Sequence, residues 1–174
     1  MSTGEKAPPF EADAVYDGRV IRVSLSEFAN RWVLLFFYPK DFSFVCPTEL
    51  RMLAKYHDEF EKAGVSILGV STDSVESHKQ WLAKDLPDVH YPLIADTDAV
   101  ISSLYGVLDA KSGQALRGAF IIDPDGVVQY AVISNMNVGR SVKELLRVIA
   151  ALKTSGMCPA GWKKGDKPLA VRPE

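Results

Sequence analysis

The chain has 174 residues, 47% of them hydrophobic, and a formal net charge of −2, enough for a single core and one main domain. That balance, with an isoelectric point near 5.9, leaves no basic footprint for nucleic acid or an anionic membrane. No run approaches the roughly 18 apolar residues of a membrane span, and "MSTGEKAPPFEADAV" lacks the basic-then-apolar order of a secretory leader, so a cytoplasmic protein is expected.

In "YDGRVIRVSLSEF" the Asp17-Gly18 pair between alternating apolar positions predicts a hairpin, and Ser24 with Glu27 a capping box on one short helical turn. Residues 32–38 are continuously apolar and too few for an ordinary helix, which predicts a central strand buried on both faces and ended by Pro39. From Pro47 the period becomes 3.6, with Leu50, Leu53, His57 and Phe60 on one face, so one helix is expected to run up to Gly64. "VSILGVS" reads as a second buried strand, and Asp73 with Glu76 as the cap of a helix through about Lys84. A short strand at "LIAD" and a short helix over 98–105 follow. "LRGAFIID" and "VVQYAVI" then flank "PDG" as a hairpin. Residues 141–153 are amphipathic, with Leu145, Val148, Ile149 and Leu152 on one face; beyond them glycine and proline recur without a period. The alternation predicts an α/β fold with a mixed central sheet over 1–154 and an arm over 155–174.

Two cysteines, Cys46 and Cys158, are too few for a disulfide scaffold and lack the close companions of a zinc site. Cys46 falls where a post-strand loop meets a helix, a place where unpaired N–H groups and the helix dipole favour negative charge. Thiols so placed become nucleophiles at neutral pH. "CPTE" has Glu49 where a dithiol reductase would carry its second cysteine. His57, His78 and His90 are available to a cysteine hydrolase, yet His57 lies on the apolar helix face, the usual place of a packed histidine. A locally isolated thiol with a distant cysteine partner fits oxidation to sulfenic acid and condensation to a disulfide.

At these residues the chain resembles a known family. "FYPKDFSFVCPTE", "SHKQW", "LRGAFIIDPDG", "VGRSVKELLR" and "CPAGWKKGD" are similar, in colinear order, to the typical 2-Cys peroxiredoxins, close to the peroxidase subunit of bacterial alkyl hydroperoxide reductase. The resemblance implies a thioredoxin-like fold with an N-terminal extension and a thiol peroxidase activity. Cys46 matches the peroxidatic cysteine, Cys158 the resolving one, Arg117 the active-site arginine, and Pro39 with Ser43 the rest of the motif; Glu49 and Arg140 match positions that tie down the arginine. It further implies a hydroperoxide substrate and a disulfide between subunits. Thioredoxin or a flavoprotein disulfide reductase would be the reductant, a homodimer the unit, and a ring of five dimers the assembly. No metal, haem or flavin is implied. Tyr38, His78 and Trp81 read as aromatic packing against the helix of Cys46, and Trp162 as packing of the arm onto a neighbour.

The chain departs from the family at three places. Serine replaces the usual threonine at position 43, which keeps the hydroxyl but loses the rotamer-restricting methyl. "KDLPDVHYP" lacks the Gly-Gly-Leu-Gly insertion of peroxide-sensitive members, and no Tyr-Phe helix follows Cys158. Resistance to overoxidation of Cys46 is therefore expected. A redox relay acting on client proteins, or a thioredoxin-fold binding module with inert thiols, are the other classes such a sequence allows.

Overall fold

Residues 1–154 and 156–169 of the computed structural model are described below; Ser155 and residues 170–174 of the expected arm lie outside them. The chain divides into two compact units, Met1–Arg140 and a second that begins at Ser141.

In the first unit, Glu11–Tyr16 (β1) and Arg19–Ser24 (β2) pair antiparallel around Asp17 and Gly18. Both turn residues have positive φ, +47° and +73°, as a tight two-residue hairpin turn requires. The Ser24/Glu27 capping box forms on a single 3-10 turn, Leu25–Phe28. Trp32–Phe37 (β3) follows, and Val33 to Phe37 are each at most 1% exposed, the two-sided burial its unbroken apolar run predicted. The expected single helix after Pro47 is instead two, Cys46–Lys55 (α1) and His57–Lys62 (α2). The chain leaves helical geometry at Tyr56 (φ −103°, ψ 14°). The restart lays the His57 ring on that of Tyr91, centroids 6.2 Å apart and nearly parallel, rather than burying it beside Leu50, Leu53 and Phe60.

Val65–Ser71 (β4) is the second buried strand. The helix Val75–Asp85 (α3) is capped by Ser74, whose side chain accepts from the Ser77 amide, and not by Asp73. Asp73 is engaged elsewhere, accepting from the Asp41 amide and the Ser71 hydroxyl. Leu93–Ala95 (β5) leads to a short helix, Val100–Leu104 (α4), in which the Ile101 and Ser102 amides donate to the Asp96 carboxylate. A small hairpin outside the sequence expectations, Leu108–Asp109 (β6) with Gln114–Ala115 (β7), precedes the expected one, Arg117–Ile122 (β8) with Val128–Ser134 (β9).

The seven-stranded sheet has the order β2-β1-β5-β4-β3-β8-β9. β3 pairs parallel with β4 and antiparallel with β8, so the sheet is mixed, as expected. Alternation gives its central strands two apolar faces. Leu35, Phe37, Leu68, Val70, Phe120 and Ile122 join one core cluster with Ile101 and Tyr105. Phe36 and Arg117 belong to the opposite face by the same period. No helix among the described residues is long and apolar enough to cross a membrane.

The second unit opens with Val142–Leu152 (α5), capped by Ser141, with Val142, Leu145, Val148 and Ile149 buried. The segment after it has internal order. The Arg147 guanidinium donates to the Trp162 carbonyl (3.0 Å), the Trp162 indole N–H to the Asp166 carbonyl (3.0 Å), and the Leu169 amide to the Met157 carbonyl (2.8 Å). Trp162 is 4% exposed. Its ring is therefore held within its own chain and not offered to a neighbour.

One glycine links fold and site. At Gly118, beside Arg117, a Cβ would lie 2.7 Å from Cγ1 of the buried Val107 and 3.3 Å from the Phe120 ring. Valine is stiff at χ1, so the clash has no cheap relief. Gly118→Ala should lower stability by about 1–3 kcal/mol, read as a lower urea midpoint at unchanged slope.

Candidate active site

The β3 strand ends at Phe37, Pro39 is buried just beyond it, and a loop carries the chain to Cys46, the first residue of α1. Pro47 follows within the first helical turn, where its missing N–H removes no helical bond. Cys46 is fully buried and its thiol is free.

Arg117, the first residue of β8, points its guanidinium at that thiol. Its Nη1 lies 3.4 Å from Cys46 Sγ and 2.7 Å from Glu49 Oε2, while Nε donates to the Met136 carbonyl at 2.7 Å. Nη2 has no hydrogen-bond acceptor among the described residues, which leaves a fixed donor for an incoming oxygen. Glu49 sits one helical turn after Cys46 and is 3% exposed. Its carboxylate also takes Arg140 Nε (2.9 Å), Arg140 Nη2 (3.0 Å) and the Arg140 amide (2.7 Å). Arg140 Nη1 donates to the Gly118 carbonyl, and its guanidinium carbon lies 3.4 Å over the centre of the Phe36 ring. Burial lowers the pKa of Arg140 from the ordinary arginine value, and the Glu49 carboxylate opposes that shift. Two guanidinium charges against one carboxylate leave one positive charge uncompensated, and Cys46 Sγ is within hydrogen-bond distance of it.

The structure thus brings together Cys46, Arg117, Glu49 and Arg140. Ser43 lies in the intervening loop with its Oγ buried and without a protein partner. An unsatisfied buried hydroxyl costs about 1–3 kcal/mol, so its orientation suits a ligand that supplies the missing bond. Cys158 belongs to the second unit; its free, half-buried thiol lies 3.4 Å from Thr154 Oγ1 and 3.9 Å from the carbonyls of Ala151 and Gly156. Tyr38 and Trp81 do form an aromatic pair, ring centroids 5.8 Å apart. His78 joins them, its ring 6.4 Å from that of Tyr38, and in addition its Nδ1 lies 2.8 Å from a buried carboxylate, Asp41. The loop sequence "PKDFSF" gave no sign of Asp41, whose side-chain partners Ser77 and His78 are 36 and 37 residues away. Among the described residues one group of metal-ligand types lies together, His57, Asp58 and Glu61 on α2; its two carboxylates are exposed, and it makes no part of this site.

A buried thiol at a helix start, held against a fixed guanidinium on a mixed α/β sheet, has the chemistry of a nucleophilic thiol enzyme that stabilises a departing oxyanion. The comparisons with known proteins narrow this. The AhpC/TSA family model matches residues 3–131, and the chain belongs to that family. It is 49% identical to the chloroplast 2-Cys peroxiredoxin of Spinacia oleracea, over 98% of this chain and 68% of the relative. It is 47% identical to the putative peroxiredoxin YkuU of Bacillus subtilis, over 95% of this chain and 97% of the relative. The crystal structure of reduced Plasmodium vivax 2-Cys peroxiredoxin superposes with a TM-score of 0.91 at 39% identity, covering 96% of this chain and 92% of that one. The fold is therefore the thioredoxin-like one expected, and the protein is a peroxiredoxin, a thiol peroxidase oxidoreductase.

Because Glu49 is the carboxylate that both buried guanidiniums pair with, its loss should be felt in the fold before the chemistry. Glu49→Gln is expected to lower stability by about 3–5 kcal/mol, the range for leaving buried charges uncompensated, measured by urea unfolding of the reduced protein.

Proposed function

We propose that this chain reduces hydrogen peroxide and small organic hydroperoxides to water or alcohol, with Cys46 as the peroxidatic thiol and Cys158 as the resolving one. The observation that carries the reading is the 3.4 Å contact between Arg117 Nη1 and Cys46 Sγ, with Arg117 fixed by Glu49 and the Met136 carbonyl. The Cys46 thiolate attacks the terminal peroxide oxygen, the O–O bond breaks, and the other oxygen leaves as hydroxide or alkoxide and takes up a proton. Sulfur is oxidised by two electrons to sulfenic acid. Arg117 offers Nη2 to the leaving oxygen as charge grows on it, while Ser43 Oγ orients the bound peroxide and Pro39 screens the sulfur from water. Glu49 and Arg140 hold Arg117 in place. Cys158 from a partner subunit then attacks the Cys46 sulfur, water leaves, and a disulfide forms; a dithiol donor, thioredoxin or a flavoprotein disulfide reductase, resets it. The reaction needs no metal, haem or flavin bound to this chain, and its setting is the cytoplasm.

A homodimer, and a ring of five dimers built from it, is part of the same reading. Its support lies at the edges of the sheet. β2 carries Arg19 and Arg22, charges of the kind that discourage strand pairing. β9, at the opposite edge, runs seven residues without a proline or a charge, and Ile133 on it is 51% exposed. That is the edge at which a second copy can pair.

One equivalent of peroxide followed by a non-reducing gel tests the cycle. A disulfide-linked dimer, abolished by Cys46→Ser or Cys158→Ser, is expected; unchanged monomer with two free thiols would refute it. Arg117→Ala should slow Cys46 oxidation about 10²–10³-fold, the cost of losing one preorganised oxyanion donor, as followed by stopped-flow. The short segment over 84–92, which lacks the Gly-Gly-Leu-Gly insertion, leaves the Cys46 loop less covered. Cys46 sulfinic acid should accordingly remain a minor species in mass spectra taken during turnover at modest peroxide, and its early accumulation would count against this.

A further inference from the structure

Asp41 is a buried carboxylate that no step above uses. It lies in the loop between β3 and α1, is 1% exposed, and makes four hydrogen bonds. Its amide donates to Asp73 Oδ2 (2.9 Å), Oδ1 accepts from the Tyr38 hydroxyl (2.9 Å), and Oδ2 accepts from the Ser77 hydroxyl (2.7 Å) and from His78 Nδ1 (2.8 Å). Asp73 is itself held by the Ser71 hydroxyl (2.8 Å), and His78 Nε2 lies 3.2 Å from the Ile94 carbonyl. One loop residue is thereby tied to the ends of β3 and β4, to α3 and to β5. Burial, with the Asp41 charge adding to it, pushes the Tyr38 hydroxyl well above the ordinary tyrosine range, so it remains a donor.

A buried carboxylate is costly unless fully satisfied, and the loop begins to depart from ordinary backbone directly after it. Phe42 has φ +54°, a left-handed conformation that costs a residue with a Cβ about 1 kcal/mol or more and persists only where its surroundings enforce it. Its ring lies 6.0 Å from that of Trp81 on α3. Ser43, with its unpartnered hydroxyl, comes next, and Cys46 three residues later.

We propose that Asp41 is a positioning residue for Cys46: the hub it forms with Tyr38, Ser77 and His78 anchors the loop so that Cys46 Sγ stays within reach of Arg117. The inference rests on the peroxidase reading above. A shift of about 1 Å at a reacting centre costs on the order of 10²-fold in rate, and the 3.4 Å sulfur contact has little room to lengthen. The hub also fixes where movement stops. Cys46 is fully buried and must leave its place to meet Cys158, so residues up to Asp41 stay while those after it swing out. Loosening the hub therefore slows oxidation of Cys46 but does not slow disulfide formation, which needs the swung-out loop.

Rapid-quench mass spectrometry separates the two steps. Oxidation of Cys46 by hydrogen peroxide is measured in a Cys158→Ser background, and disulfide formation from the sulfenic acid with Cys158 present. Asp41→Asn is expected to lower the oxidation rate constant about tenfold or more, and Ser77→Ala, which removes one bond, about threefold, with Ser77→Thr restoring it. Disulfide formation should be unchanged or faster. Unchanged oxidation, or loss of both rates by one common factor matching the folded fraction from circular dichroism, overturns the proposal; if Asp41→Asn does not fold, the Ser77 pair decides. Wild-type Cys46 that fails to react with peroxide would instead defeat the peroxidase reading.

Discussion

The Glu49 carboxylate is the constraint on which the site depends. It accepts from Arg117, from both Nε and Nη2 of Arg140, and from the Arg140 amide. Those bonds tie α1 to β8 and to the chain just beyond β9. Three buried charges of which one is unpaired make a poor arrangement for stability alone, since replacing such clusters with apolar groups often stabilises a protein. The arrangement makes sense when a fourth charge completes it. In the proposed cycle the Cys46 thiolate makes the cluster neutral, and oxidation to sulfenic acid leaves it positive. The reduced thiol is therefore drawn to the Arg117 side of its pocket, and the oxidised one loses that attraction just when it must depart.

The sheet supplies the rigidity this needs. β3 is buried on both faces and paired on both sides, so its C-terminal end, where the loop to Cys46 begins, is held by ladder bonds to β4 and β8. Phe36 on β3 lies beneath Arg140, a contact of about 2 kcal/mol when desolvated. Gly118 turns its carbonyl to the same guanidinium, and its missing side chain leaves room for Val107. Strand, glycine and aromatic ring thus fix the arginines before substrate arrives, which is where electrostatic catalysis draws its advantage.

Much of this was legible in the order of residues, and the exceptions share a cause. β3, β4 and the β8–β9 hairpin could be read because each is a strong local pattern, an unbroken apolar run or a pair of runs around a turn. The break at Tyr56 could not, because it shows only when His57 finds Tyr91, more than thirty residues away. Asp73 has the same history. As a helix cap it satisfied the local rule, but the Asp41 amide and the Ser71 hydroxyl claim it in the fold, and Ser74 caps the helix instead. At the site, the helix-start position of Cys46 followed from physical chemistry, whereas Arg117, Glu49 and Arg140 were located by family resemblance, since nothing in their spacing says that three such distant residues meet. Asp41 escaped both routes.

The two cysteines also differ in a way that only the hydrogen bonds reveal. Cys46 Sγ accepts from a guanidinium, whereas Cys158 Sγ lies 3.4 Å from the Thr154 hydroxyl and 3.9 Å from the carbonyls of Ala151 and Gly156. The first sulfur faces a fixed positive charge, whereas the second faces neutral groups only. The first is buried behind a loop anchored at Asp41, the second lies half-buried in a segment stitched by Arg147, Trp162 and Leu169. A disulfide between them demands that both environments open. The order of the proposed chemistry follows, because oxidation removes the charge that holds Cys46 in place, while Cys158 must only break contacts that are weak and neutral.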